Sequence, residues 1–557
     1  MMPSSRRAFL QTGAAAMAGL WLPKLSGPAP FFRQRAVDFQ PTWASLAQYQ
    51  TPDWFRDAKF GMWAHWGPQC VPEQGDWYAR QMYQEGNRDY IEHIARYGHP
   101  SRAGFKDIIH QWKAEEWRPD ELVALYKQAG AQYFMALANH HDNFDNWDSK
   151  HQPWNSVRLG PKKDLIGGWE RATRRAGMRF GVSVHASRAW SWYEVAQGAD
   201  KEGPYAGVSY DGKLTRAQGK GQWWDGLDPQ DLYEQRHTPG KQLEWDWDAS
   251  KGSSIPDRAY CERFMARTLD LIDRYQPDMV YFDDHRLPLD PVSDVGLRIA
   301  AHFYNSSIQR HGGKLEAVLT GKVLNEQQRK CMVWDIERGV ANDVQPLPFQ
   351  TDTCIGEWHY SRPVLARHGY KSAQTVAQML VDIVSKNGNL MLNVPLPGSG
   401  APDDDEISFL ADFTRWMKAN STAIYASRPW STYGEGPSTE AQAKLSAEGF
   451  NEGRNKPYTP QDIRFVQKAG KVYAFVLAWP ENGKVTIKSL AMGSLHAPGG
   501  VERVELFTMG APWGGASGSA NLQFTRTADG LVVTFPEKKQ TEYVYTLEIS
   551  GAGLTRA

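Results

Sequence analysis

Between about residue 50 and residue 425 the chain alternates two kinds of apolar pattern. In one, apolar residues recur three or four positions apart, as on a helix with one buried face. In the other they form a short unbroken run, as in a strand buried on both sides. "PDELVALYKQAG" (119–130) opens on Pro119 and Asp120, carries Leu122, Leu125 and Tyr126, and stops at Gly130, which predicts a helix; the strand "QYFMALAN" follows at once. Helix "LIGGWERATRRAG" precedes strand "MRFGVSVHAS" in the same way. Helix "CERFMARTLDLIDRY" sets Cys261, Met265, Thr268 and Ile272 on one face, Pro277 ends it, and strand "DMVYFDD" follows. Helix "SAQTVAQMLVDIVSK" closes at Asn387-Gly388 before strand "NLMLNV". Repeated units of this kind predict either a (β/α) barrel or a doubly wound sheet.

Polar clusters decide between the two. They recur at the ends of many separate strands: "AHWG", "NHHDNF", "VHAS", "FDDHR", "LTGK" and "WDIERG". A barrel gathers all its carboxyl ends around one mouth, so such clusters would converge there. An open sheet concentrates chemistry at one switch point, and no Gly-rich phosphate loop marks one here. The expectation is a (β/α)8-like barrel over residues 40–428.

Residues 193–255 interrupt the alternation with a stretch rich in Gly, charge and aromatics. A loop of that length above a barrel mouth reads as a lid or subsite wall, with Trp223-Trp224 as its aromatic surface. After helix "DEISFLADFTRWMKAN" the texture changes to short alternating strands, "DIRFVQ", "KVYAFVLAW", "VERVELF", "LVVTF" and "EYVYTLEIS". These predict a C-terminal antiparallel β-sandwich over residues 429–557.

Composition adds three constraints. A chain of 557 residues is too long for one ordinary core. Lys and Arg balance Asp and Glu at 63 each, which leaves no footprint for nucleic acid or an anionic membrane surface. Cys70, Cys261, Cys331 and Cys354 are scattered without CxxC or Cys/His spacing, against a structural zinc site. The 23 tryptophans suit stacking on sugar C–H faces, although filling cores accounts for most of them.

The first residues read as an address rather than as fold. Arg6-Arg7, then Phe9-Leu10 and an Ala-rich apolar segment, form a twin-arginine export signal over residues 1–30, which implies work in a bacterial periplasm. Its apolar part is too short to stay in a bilayer, and no later run approaches the ~20 apolar residues of a membrane span.

The stretch "NHHDNF" (139–144) raises the question of metal. Neighbouring histidines on a strand point to opposite faces, unlike the i, i+4 pair of a zincin helix, so neither a metal nor a cofactor is expected.

Four segments in order, "WFRDAKFGMWAHWGPQCVPEQGDWYARQMY", "NHHDNFDNWDSKHQPWNSVRLGPKKDLIGGW", "PDMVYFDD" and "MLVDIVSKNGNLMLNV", resemble the signatures of glycoside hydrolase family 29, the α-L-fucosidases. The resemblance runs from about Trp54 to Trp430. It implies a (β/α) barrel with a C-terminal β-sandwich, retaining hydrolysis of terminal α-L-fucosyl groups from oligosaccharides or glycoconjugates, and no catalytic metal. By the same resemblance His65, His140 and His141 line the fucose subsite, Trp77 stacks near the C6 methyl and Asp76 meets hydroxyls. His185 and Tyr281 are expected to contact substrate as well.

A retaining glycosidase needs an ionised nucleophile and a carboxylic acid that later serves as base. Asp283 takes the position of the family's aspartate at the end of "MVYF", with Asp284 reading as a loop salt bridge or cap. The acid/base does not transfer from the resemblance. Glu337 in "CMVWDIERG" is the choice, with Asp335 on the same strand face and Glu357 in "CIGEWHY" as rivals. Lys322 in "LTGK" stands without the arginine some relatives carry, and Gln350 stands where some have glutamate. These departures keep an α-L-galactosidase or related deoxysugar hydrolase on the same scaffold, or a catalytically silent carbohydrate-binding protein, open as alternatives.

Overall fold

The computed structural model describes residues 38–442, 449–453, 457–509, 517–539 and 543–555. The segment read as an export signal lies outside them. Among the described residues eight parallel strands close a barrel in chain order: β1 (Phe60–Ala64), β2 (Tyr133–Asn139), β3 (Arg179–Val184), β4 (Met279–His285), β5 (Val318–Lys322), β6 (Val333–Glu337), β7 (Phe349–Cys354) and β8 (Gly388–Asn393). β1 pairs with both β2 and β8, which closes the ring. The anticipated helices form as Pro119–Gln128, Leu165–Arg175, Arg258–Tyr275 and Ala373–Ser385. Asp257 caps the third by accepting from the Tyr260 N–H at 2.7 Å, and Gln276 ends it in a left-handed conformation ahead of Pro277.

After the helix Asp404–Ile424, the chain builds two antiparallel sheets: a six-stranded one that begins at β9 (Arg428–Glu435), and a three-stranded one. Their apolar faces enclose a second core that includes Phe465, Val476, Leu506, Val533 and Leu547. Barrel and sandwich form one compact unit from Val37 onward. A buried network joins them: Asp382, on the helix Ala373–Ser385, accepts from Lys386 at 2.8 Å and from Arg464 of the sandwich at 2.5 Å. Two cations on one buried carboxylate hold its pKa below the usual value even though burial opposes that.

The insertion departs from expectation in one respect. Trp223 and Trp224 do not face the barrel mouth. Trp224 is buried and Trp223 packs on His110 and Trp154, with its indole N–H donating to Asp107 at 2.7 Å. They anchor the insertion to the barrel's shoulder. The aromatic residue that the insertion delivers to the mouth is Trp245.

The four cysteines are unpaired and buried. Among the described residues no helix is long and apolar enough to cross a membrane.

Candidate active site

Non-glycine residues with left-handed backbone follow four of the barrel strands: Asn143 after β2, Arg286 after β4, Val323 after β5 and Arg338 after β6. Such residues cost energy and persist where surrounding contacts hold them, often at functional sites. Here they turn the chain sharply around a cavity of about 500 Å³ at the carboxyl ends of the strands. His65, Asp76, Trp77, His140, His141, His185, Tyr281, Asp283 and Glu337 all line it. Glu357 does not; its carboxylate lies against Gly75, outside the wall.

Each histidine is set by a specific neighbour. His65 follows β1, and its backbone N–H donates to Asn393 at the end of β8, 2.8 Å away. His140 and His141 lie just past β2, so the strand rule that would send them to opposite faces does not apply and both rings reach the cavity. Their turn is built by Asn139, which accepts from the N–H groups of His185 and Ala186, and by Arg267, which pairs with Asp145 at 2.6 Å and donates to Asn143 at 2.6 Å. Asn139 and Asn143 are therefore parts of one buried brace.

Gln69 accepts from the Ala79 N–H, which turns its amide nitrogen toward His140 Nδ1 at 2.6 Å. That leaves His140 with its proton on Nε2. Burial pushes His140 and His65 well below the ordinary histidine range, so both rings are neutral. His141 has no nitrogen left for a sugar hydroxyl. Its Nδ1 faces the His185 carbonyl at 2.8 Å and its Nε2 faces Asp283 Oδ2 at 3.2 Å. Its place is to hold that carboxylate rather than to meet a hydroxyl. Tyr281 likewise offers a ring face only, because its hydroxyl donates to Asp352 at 2.8 Å. Asp76 accepts from the N–H groups of Trp358 and His359 at 3.2 and 2.8 Å.

Buried nitrogens without protein partners remain on His65, His185 and His359. Buried polar atoms are normally satisfied, so a row of them along a cavity marks where a polar ligand completes the set. The trios His65–His140–His359 and His140–His141–His185 also bring ligand atoms within 4.8 Å of one another. His140 belongs to both and has one nitrogen engaged by Gln69, and His141 has both engaged. The second trio therefore lacks a free ligand atom from His141.

The two carboxyl groups are joined by Lys322, the last residue of β5. Its ammonium lies 2.5 Å from Asp283 Oδ1 and also donates to Glu337 Oε2. One ammonium bonding both keeps their nearest oxygens within two hydrogen-bond lengths, under about 6 Å. Burial disfavours the Asp283 charge, but Lys322, His141 and His185, whose Nδ1 lies 3.3 Å from Asp283 Oδ2, outweigh it and hold this carboxyl well below the usual range. Glu337, the last residue of β6, is pushed up to about 7 by burial, against the pull of Lys322 and with the Asp283 charge adding to the rise. Asp335 faces the barrel interior below, bound by Gln350 at 2.7 Å, and is absent from the cavity wall. Asp284 is turned to Ser187 and Arg188, as a buried structural pair.

The wall beside Trp77 is aromatic. Trp77 sits edge-on to Trp192 at 5.0 Å and near Trp245 at 6.4 Å, while Trp63 and Tyr281, 4.9 Å apart, form the floor. Lys322, His359, Trp245, Trp358 and Phe450 also line the cavity and were given no site role from the sequence. Lys322 stood at a strand end inside one of the polar clusters, which was signal enough. Trp245 and Phe450 come from loops, and nothing in their local pattern carries a position.

Residues 31–422 match the family model described as alpha-L-fucosidase, and residues 455–550 match that of the alpha-L-fucosidase C-terminal domain. The chain belongs to the α-L-fucosidase family. Among curated relatives, the tissue alpha-L-fucosidase of Rattus norvegicus is 24% identical over 467 residues, covering 82% of each chain. That of Homo sapiens is 24% identical over 462 residues, 81% of each. The solved Thermotoga maritima alpha-fucosidase covers 92% of this chain and 99% of its own, at 23% identity with a TM-score of 0.63. An alpha-L-fucosidase from Bacteroides thetaiotaomicron covers 92% and 97% at 15% identity with a TM-score of 0.58. These structural likenesses carry the fold: an eight-stranded barrel with a C-terminal sheet domain. The chain is an α-L-fucosidase, a glycoside hydrolase whose substrate is a glycan.

Proposed function

We propose that the chain is a retaining exo-acting hydrolase of terminal α-L-fucosyl groups, with Asp283 as nucleophile and Glu337 as acid/base. The observation that carries this reading is the Lys322 bridge. It keeps the nearest oxygens of the two carboxyls under about 6 Å apart, which suits the roughly 5–5.5 Å separation of retaining enzymes better than the roughly 6.5–9.5 Å of inverting ones. Their opposite pKa shifts support these roles: a carboxylate ionised at neutral pH suits attack, and a carboxyl pushed up to about 7 suits giving and taking the proton.

In the first step an Asp283 oxygen bonds to the anomeric carbon. The bond to the leaving oxygen breaks with its electron pair, and that oxygen takes the Glu337 proton. In the second step Glu337, now a carboxylate, takes a proton from water while the water oxygen bonds to the same carbon. The bond to Asp283 breaks and its charge returns. Two inversions leave the configuration as it began. The aromatic floor favours one terminal residue over an internal one, and the Trp77, Trp192 and Trp245 wall suits the C6 methyl of fucose better than the hydroxymethyl of L-galactose.

Azide tests the roles. With an activated aryl α-L-fucoside, Asp283→Ala should give a fucosyl azide of inverted configuration and Glu337→Ala one of retained configuration. Azide products of the same configuration from both variants would sink the assignment. The Arg6-Arg7 segment supports export to the periplasm by the twin-arginine route. Retention of the full chain in the cytoplasm, or export that is unchanged in Arg6→Lys/Arg7→Lys, would count against that.

A further inference from the structure

A leaving group departs on the Glu337 side of the cavity, and the residue that borders that side comes from outside the barrel. Residues 449–453 precede the sandwich strand β10 (Ile463–Lys468) and fall between the two segments matched by the family models. They dock directly on the end of β6. The Phe450 N–H donates to the Glu337 carbonyl at 2.7 Å, and the Glu452 N–H to the Arg338 carbonyl at 2.9 Å. The Glu452 side chain fixes the segment from three directions, accepting from Arg338 Nε at 2.7 Å, Thr353 Oγ1 at 2.7 Å and Lys371 Nζ at 3.1 Å. A Cβ at Gly449 would sit 2.7 Å from the Glu337 carbonyl, so the close approach depends on glycine there.

What this anchoring presents is a phenylalanine ring. Phe450 has left-handed backbone at φ 59°, lines the cavity, and leaves 61% of its surface exposed. An aromatic ring held in water by backbone bonds to the acid/base strand has no core to fill. A single fucose occupies only part of a 500 Å³ cavity.

We propose that Phe450 is the platform of the leaving-group subsite, stacking on the C–H face of a pyranose aglycone while Glu337 protonates the bond that joins it to fucose. This rests on the retaining-fucosidase reading. Arg338, pinned by Glu452, shares that wall and stands to meet the aglycone's hydroxyls.

The test compares kcat/KM for α-L-fucosyl fluoride, whose leaving group is one atom, with kcat/KM for a fucosyl-galactose and a fucosyl-N-acetylglucosamine disaccharide. Wild type, Phe450→Ala and Phe450→Trp are measured on all three. The ratio of disaccharide to fluoride is expected to fall roughly tenfold in Phe450→Ala and to recover in Phe450→Trp. Turnover of the fluoride also reports that each variant is folded. An unchanged ratio in Phe450→Ala overturns the subsite alone, as does wild type that cleaves the fluoride and neither disaccharide. Wild type inert toward the fluoride overturns the retaining reading and the subsite with it.

Discussion

The ammonium of Lys322 lies 2.5 Å from Oδ1 of Asp283, at the ends of two neighbouring barrel strands. A lysine has three donors and no acceptor, so it lowers the energy of the ionised carboxylate without competing for the proton. Because the same ammonium also bonds Glu337, its charge depresses both carboxyls, and what separates them is everything else around them.

The pH profile follows with a definite sign. In the proposed mechanism kcat/KM needs Asp283 ionised and Glu337 protonated, so the alkaline limb should fall through about 7. The acid limb should lie below the ordinary carboxylate range. In Lys322→Met the lowering influence on both groups is gone, both pKa values rise, and the whole bell should move to higher pH as its height drops. A Lys322→Met profile displaced toward acid, or unmoved, would contradict the bridge.

Glu337 and Glu357 should separate cleanly. Removing a general acid costs roughly 10²–10⁴-fold, most for a poor leaving group. Glu337→Gln should lose that much on a fucosyl disaccharide and far less on an activated aryl fucoside. Glu357→Gln should stay within roughly threefold of wild type on both, since its carboxylate packs at Gly75 outside the cavity. A leaving-group-dependent loss in Glu357→Gln would move the role there.

The barrel was legible because most of its strands are apolar runs between helices with capped, periodic faces. β7 was not, and the reason is chemical. In "FQTDTC" Gln350 and Asp352 interrupt the apolar pattern, yet both are buried inside the barrel. Gln350 accepts from the Tyr133 hydroxyl at 3.1 Å and Asp352 from the Tyr281 hydroxyl at 2.8 Å, partners far away in sequence. Residues that close over the mouth were hidden for a related reason. Trp223-Trp224 looked like a subsite wall by composition, but the histidine and indole that Trp223 packs on are visible only once the chain is folded. Trp245 sits in a charged stretch that gives no sign of pointing inward.

His141 is expected to act on kcat more than on KM. With Nδ1 on the His185 carbonyl and Nε2 on Asp283, it holds the proposed nucleophile and has no nitrogen free for a sugar hydroxyl. His141→Phe should lower kcat roughly a hundredfold, the scale of a displaced reacting group, with KM little changed. His140 has the converse role, so His140→Phe should raise KM for the fucosyl group. Steady-state kinetics on one aryl fucoside reads both; a pure KM effect at His141 would place it among the sugar ligands.

Arg188 ties the insertion to the catalytic strand. It pairs with buried Asp284 at 3.3 Å, donates to the carbonyls of Glu244 and Trp245, and lies over the rings of Trp245 and Trp247 at 4.8 and 4.2 Å. Asp284 adjoins the nucleophile, so one guanidinium connects that strand to the aromatic wall of the pocket. Removing one partner of a buried pair leaves an uncompensated charge, and Arg188→Met should cost about 3–5 kcal/mol in urea unfolding. Adding Asp284→Asn removes the stranded carboxylate and should recover part of that loss. It should not recover the wall: with its anchor gone, Trp245 loosens, and KM for fucosides should stay raised in the double variant. Stability and KM that recover together would mean that Trp245 is held by the rest of the insertion and that Arg188 serves only Asp284.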